Sequence, residues 1–223
     1  MIRVVVIVEG KTEVLFIKQI LAPELASSVQ LYPQTLNTSR RFKGGDVGFE
    51  RLRSHAKNTL SQSSGPILTT FLDLYGLRTD FPAFRDIGEI TDPLTRVTHL
   101  EEALHEAIVN ESDCRPERFI PHIQPFEFEG LLFSDVDALC AAEPGWERSR
   151  ATLTGIRDAS KSPEHINDSY DTKPSKRLED ILSPKYRKTL HGPLAAKNIG
   201  LAMMERECAH FRQWMDRLRR LAG

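Results

Sequence analysis

The chain has little of several things, and each shortage narrows what it can be. Only three of its 223 residues are cysteines (Cys114, Cys140 and Cys208), and no two stand at metal-ligand spacing. That excludes a disulfide-stapled secreted scaffold and points to reduced thiols in a cytosol. No run approaches the roughly 20 apolar residues that a membrane helix needs, so no membrane role is expected. Arg3 precedes an apolar start, but Glu9 ends it and no small-residue cleavage site follows. A secretory leader is therefore not expected, and a cytoplasmic location is. Repeats and low-complexity tracts are absent, which sets aside solenoids and disordered linkers. A phosphate-binding loop is missing too. Gly10-Lys11-Thr12 imitates the end of one, but Val5 stands where that motif needs its first glycine.

Charge of one sign is also lacking overall, since 30 Lys and Arg oppose 31 Asp and Glu for a net −1. The halves nevertheless differ. Residues 1–147 carry 14 Lys and Arg against 22 Asp and Glu, whereas residues 148–223 carry 16 against 9. An acidic front with a basic back fits a metal site beside a polyanion track, and equally fits solvated helix faces of differing sign.

What is present reads as α/β. Residues 2–8 are an almost unbroken β-branched run, as in a parallel strand buried on both faces. Further strands are expected over 29–37, 66–73 and 119–124, alternating with helices from Thr12 to about 23 and over 49–60, 99–108 and 131–142. This β-α-β-α order predicts a parallel four-stranded sheet with right-handed crossovers. Beyond Pro144-Gly145-Trp146 the strand signal stops, and helices are expected over 149–159, 176–181, 192–207 and 210–221. An α/β domain over 1–144 and a helical subdomain over 145–223 follow from that change.

Three of the four expected strands end in acid: Glu9 with Glu13 a turn later, Asp73, and Glu127 with Glu129. Ligands of parallel sheets bind beyond the carboxyl ends of the strands, so these side chains should share one rim. Such a cluster shares protons or holds a divalent cation, and an oxygen-only set selects Mg²⁺ or Mn²⁺. Taken singly, Glu13 is also a normal helix-start residue and Asp73 a normal turn residue. Lys11 is either a partner of Glu9 or an electrophile for phosphate. Thr38 to Gly45 is either a phosphate-contacting loop, through Arg40, Arg41 and Lys43, or a surface turn. Cys208 and His210, even with His191, do not make a closed tetrahedral site.

With these motifs in view the chain resembles the Toprim superfamily, whose signature is a Glu after the first strand and Asp-x-Asp after the third. Val8-Glu9-Gly10 and Leu72-Asp73-Leu74-Tyr75 are similar to the two halves of that signature. More closely, it is identified as a member of the Toprim-like group called domain-of-unknown-function family 4276. The motifs are V-E-G-K-T-E (8–13), L-D-L-Y-G-L (72–77) with D-F-P (80–82), F-E-F-E-G-L-L-F-S-D (126–135), S-P-E-H-I-N (162–167), P-S-K-R-L (174–178) and C-A-H-F-R-Q-W (208–214). The resemblance implies a Toprim-like (Rossmann-like) fold and Mg²⁺ or Mn²⁺ held by Glu9, Asp73, Glu127 and Glu129 with help from Glu13. It also implies a nucleic-acid substrate and an AAA- or ABC-type ATPase partner in anti-phage defence. Two positions depart from the pattern. Tyr75 replaces the second Asp, and Phe126 stands where the smaller group commonly has a histidine.

The leading expectation is a divalent-metal nuclease acting on DNA or RNA. Lys11, Arg40, Arg41 and Lys43 would neutralise phosphate, and Lys173, Lys176 and Arg177 would hold the flanking strand. The alternative is a non-catalytic sensor or adaptor that binds the ATPase or nucleic acid, docking through a Phe211, Trp214 and Leu218 stripe, although packing against the sheet is the preferred explanation of that stripe.

Overall fold

Valine and isoleucine fill the central strand β1 (Ile2–Val8), and from Val4 to Val8 its side chains are buried on both faces. The structure, a computed structural model, describes residues 1–36, 47–63, 65–167 and 169–222. Glu9-Gly10 ends β1 and opens α1 (Lys11–Phe16), which runs on through a π turn (Ile17–Leu21) to a last turn at Ala22–Leu25. Then come β2 (Val29–Thr35), α2 (Phe49–Leu60) and β3 (Ile67–Asp73). After α3 (Pro93–Ser112) the sheet closes with β4 (Phe119–Ile120) and β5 (Ile123–Gln124). All pairings are parallel, in the order β2-β1-β3-β4, with β5 also on β3. The expected parallel sheet is there, flanked by helices.

The fourth strand is broken in two because Pro121 has no N–H to give the ladder. The gap is closed by a side chain. Thr70 Oγ1 accepts from His122 N at 2.8 Å and donates to His122 O at 2.9 Å. α3 begins earlier than its apolar spacing suggests, since Asp92 caps it by accepting from Thr95 N at 2.8 Å and Pro93 occupies its first turn. The segment after the fourth strand is not one helix over 131–142. It is a 3₁₀ stretch (Phe128–Ser134), then Asp135 caps the short α4 (Val136–Cys140).

α5 (Arg150–Asp158) and α6 (Pro174–Ile181) follow. The helix expected over 192–207 is two, α7 (Lys188–Ile199) and α8 (Leu201–Glu207), because Gly200 turns between them at φ 78°. The last helix is α9 (Ala209–Arg220).

β1 alternates, as pleating requires. Val5 and Ile7 pack with Leu52 of α2 and Leu100 and Leu104 of α3. Val4, Val6 and Val8 join a core with Phe16, Phe71, Phe128 and the later helices. α9 presents Phe211, Trp214, Met215 and Leu218 to that core, all buried, and Trp214 Nε1 donates to Thr69 Oγ1 of β3 at 2.8 Å. At about 1.5–3 kcal/mol per large apolar side chain buried, this stripe fastens α9 to the sheet. It is therefore not the docking face considered above. Among the described residues no helix is long and apolar enough to cross a membrane.

Candidate metal centre

β1 and β3 are hydrogen-bonded neighbours, so the residues leaving their carboxyl ends meet. Asp73 N donates to Glu9 Oε1 at 2.8 Å. Gly76, three residues on, lets this happen. A β-carbon there would lie 2.0 Å from Glu9 Oε1 and 2.4 Å from its Cδ. The chain leaving β5 then turns back over the same rim at Phe126, whose φ of 61° is a costly conformation for a bulky residue. The turn sets Phe128 N to donate to Asp73 Oδ1 at 2.8 Å. Glu9 Oε2 and Asp73 Oδ2 are left without a hydrogen-bond donor among the described residues.

Glu13 does two jobs. Its Oε2 accepts from Gly10 N at 2.9 Å, which caps α1, and its charge acts on the rest of the cluster. Glu127 Oε2 accepts from Ser175 N at 3.0 Å at the start of α6, and Lys173 Nζ lies 3.0 Å from its Oε1. Glu129 Oε1 accepts from Tyr186 OH at 3.3 Å. Lys188 Nζ of α7 sits between the two, 3.3 Å from Glu129 Oε2 and 3.7 Å from Glu127 Oε1. Gly192 seats α7 closely, since a β-carbon there would be 3.1 Å from Thr12 Cγ2 and from Tyr186 OH.

Five carboxyls thus face two ammonium groups, and burial makes that imbalance felt. Desolvation, then the charge of Glu13, pushes Glu9 up to about 8. Burial followed by repulsion from Glu9 and Glu13 raises Asp73 well above the carboxylate range. Burial lifts Glu129 to about 7 against the pull of Lys188. Glu127 is the exception. Burial would raise it, but Lys188, Ser175 and Lys173 outweigh burial and hold it low. Lys188 is likewise kept charged, its desolvation overcome by Glu129, Glu127 and Asp73. The set therefore binds extra protons at neutral pH, or a cation in their place.

The donors fit Mg²⁺ or Mn²⁺, being oxygen only, with two free oxygens on adjacent side chains. They do not form an all-protein cage. Among the described residues only Glu101, His122 and His210 bring three ligand atoms within 4.8 Å of one another. The rim carboxylates stand wider, as suits an ion that keeps several waters and takes one or two carboxylates directly.

A family model, Domain of unknown function (DUF4276), matches residues 8–219. The chain belongs to that family. No curated protein matches it, and no solved structure does. The DUF4276 match runs from the residue before Glu9 to Arg219 in the last turn of α9, so it takes in every side chain of the rim.

Of the residues singled out in this DUF4276 chain, Glu9, Glu13, Asp73, Glu127 and Glu129 come to one rim. Lys11 is exposed and makes no ion pair among the described residues, and the ammonium over the carboxylates is that of Lys188. Lys173 points inward to Glu127 and Lys176 pairs with Asp180 at 2.6 Å, while Arg177 Nε donates to Thr172 O. Arg40, Arg41 and Lys43 lie outside the described residues. Tyr75 is partly exposed at the rim, where it meets Phe126 and its OH accepts from Asn167 Nδ2. His191 meets Trp146 edge-on and Cys208 meets Ser134, so neither joins His210. Sequence reasoning missed Lys188, Tyr186 and Ser175. Ser175 falls within P-S-K-R-L, but Lys185-Tyr186-Arg187-Lys188 reads as an ordinary polar turn.

Proposed function

We propose that this protein is a divalent-metal-dependent nuclease of Toprim type, cleaving DNA or RNA phosphodiesters in anti-phage defence beside an AAA- or ABC-type ATPase. The observation that carries the reading is the meeting of Glu9 and Asp73, with one free oxygen each, beneath the Glu127–Glu129 turn. Bound there, Mg²⁺ or Mn²⁺ would act as Lewis acid and lower the pKa of a water. Glu9 and Asp73 would hold the ion, and Glu13 keeps Glu9 next to it by fixing the start of α1. Tyr75 removes the second carboxylate of the usual pair, and Lys188 stands as a fixed positive charge among the acids. With its side chain 40% exposed, Lys188 can reach a phosphate oxygen and stabilise the charge that develops on it. This is a one-ion arrangement in which a lysine takes over part of the second ion's role.

The test is to incubate the purified protein with duplex DNA, single-stranded DNA and RNA in Mn²⁺ or Mg²⁺, beside Glu9→Ala and Asp73→Ala. Cleavage by the wild type alone is expected. Equal cleavage by all three, or none with the ATPase present, would refute the assignment.

One observation favours the adaptor reading. Leu190 and Leu194, a helical turn apart on α7, are 47% and 40% exposed, an apolar pair a partner protein could cover. Co-purification with the ATPase that Leu190→Asp abolishes, with defence intact in Glu9→Ala, would support it over the nuclease.

A further inference from the structure

Beside β3, at the break in the fourth strand, three ligand-bearing side chains from distant parts of the chain come together. Glu101 comes from α3, His122 from the break between β4 and β5, and His210 from the first turn of α9. His210 Nε2 lies 2.8 Å from Glu101 Oε1, and His122 Nδ1 lies 3.6 Å from the same oxygen. Ligands bound at about 2.0–2.1 Å around a tetrahedral ion stand about 3.3–3.4 Å apart, between those two values. The trio needs shifts of only a few tenths of an ångström on those two edges to take such an ion.

The surroundings hold His122 in ligating form, whereas at His210 burial is outweighed by the hydrogen bond to Glu101, which raises it, so an ion entering here displaces the proton that His210 shares with Glu101. His122 Nε2 faces Gln124 Oε1 at 3.4 Å, which favours the proton on Nε2 and a free lone pair on Nδ1 toward Glu101. The His122 ring is locked between neighbours, stacked on His210 at 4.9 Å and on Trp214 at 4.7 Å. Glu101 Oε1 is steadied by Ile123 N at 2.7 Å. Both histidines are buried, but the cluster is not sealed. Glu101 and His210 line a cavity of about 410 Å³ together with Thr98, Glu102, His105 and Arg217.

We propose that Glu101, His122 and His210 form a second metal site, specific for a first-row transition dication, Zn²⁺ foremost, with its fourth position open to the cavity. Two imidazoles and one carboxylate are a borderline-soft set that discriminates against Mg²⁺, whereas the rim carboxylates are hard oxygens only. The two sites therefore take different ions, and the second stands whether or not the protein is a nuclease.

Co²⁺ serves as the probe, added to chelator-treated full-length protein. One equivalent with the intense visible bands of tetrahedral coordination is expected, displaced by Zn²⁺, and unchanged in Glu9→Gln, Asp73→Asn. Glu101→Gln keeps an acceptor for Ile123 N and preserves the fold, and should weaken Zn²⁺ binding at least 100-fold. His210→Gln should do the same. Zn²⁺ should raise the melting temperature of the wild type and leave that of Glu101→Gln unmoved. The site is refuted if the wild type takes up no more Co²⁺ or Zn²⁺ than Glu101→Gln, or if the tetrahedral bands vanish in the Glu9, Asp73 variant.

Discussion

Gly76→Ala is the sharpest perturbation of the rim, because it adds one methyl group where the Glu9 carboxylate lies. The new carbon would fall 2.0 Å from Oε1 and 2.4 Å from both Cδ and Oε2. Ordinary contact begins at 3.4 Å, so the carboxylate must retreat by about 1.4 Å. A retreat of that size lengthens the 2.8 Å bond from Asp73 N beyond hydrogen-bonding reach. The buried amide then loses its acceptor, at about 1–3 kcal/mol. A misplacement of about 1 Å at a reacting centre also costs about 100-fold in rate. Mn²⁺ titration followed by the magnetic resonance signal of the free ion, with urea melts alongside, reads both effects. Affinity should fall at least tenfold with a loss of about 1–3 kcal/mol in stability. Gly88→Ala is the control, since nothing lies within 4 Å of its added carbon. If Gly76→Ala binds Mn²⁺ and melts like the wild type, Glu9 does not sit where its proposed role needs it.

Lys188→Gln should lower nuclease turnover by about 100-fold or more while Mn²⁺ still binds, because it deletes a fixed positive charge and no metal ligand. Single-turnover kinetics with parallel metal titration separates the two. Asp92→Ala should cost about 1 kcal/mol by uncapping α3. Thr95 N, then the Thr95 hydroxyl, holds the Asp92 carboxyl below its usual 3.8, so its contribution is intact above that pH and fades as pH falls through the lowered value. Urea melts of the pair should differ at pH 7 and draw together as pH falls below the usual carboxylate range. Gly155→Ala, in the interior of α5 with open space around it, should stabilise the protein by about 1 kcal/mol in the same assay.

Much of the architecture could be read from residue order because buried parallel strands have an unmistakable composition. β1, β3 and α2 lie where their apolar patterns place them. The errors came where polar chemistry, not periodicity, sets the boundary. Asp92-Pro93 starts α3 a turn and a half before its apolar stripe, Pro121 splits the fourth strand, and Gly200 divides a helix whose apolar residues run through it. The rim acids were legible because each follows its own strand and parallel pairing collects such ends. Their counter-charge was not. Lys188 lies 59 residues from Glu129, and only the packing of α7 against α1 and the 3₁₀ stretch brings them together. The Glu101, His122 and His210 group was hidden for the same reason. No spacing links a mid-helix glutamate, a histidine at a strand break and another at a helix start.

The central claim is that the free oxygens of Glu9 and Asp73 hold one divalent ion. Crystals soaked in Mn²⁺ and measured for anomalous scattering test it directly. One peak is expected at about 2.2 Å from both carboxylates, with Lys188 still seated between Glu127 and Glu129. A rim that stays empty at saturating Mn²⁺, or an ion bound in place of Lys188 and out of reach of Glu9, would contradict it.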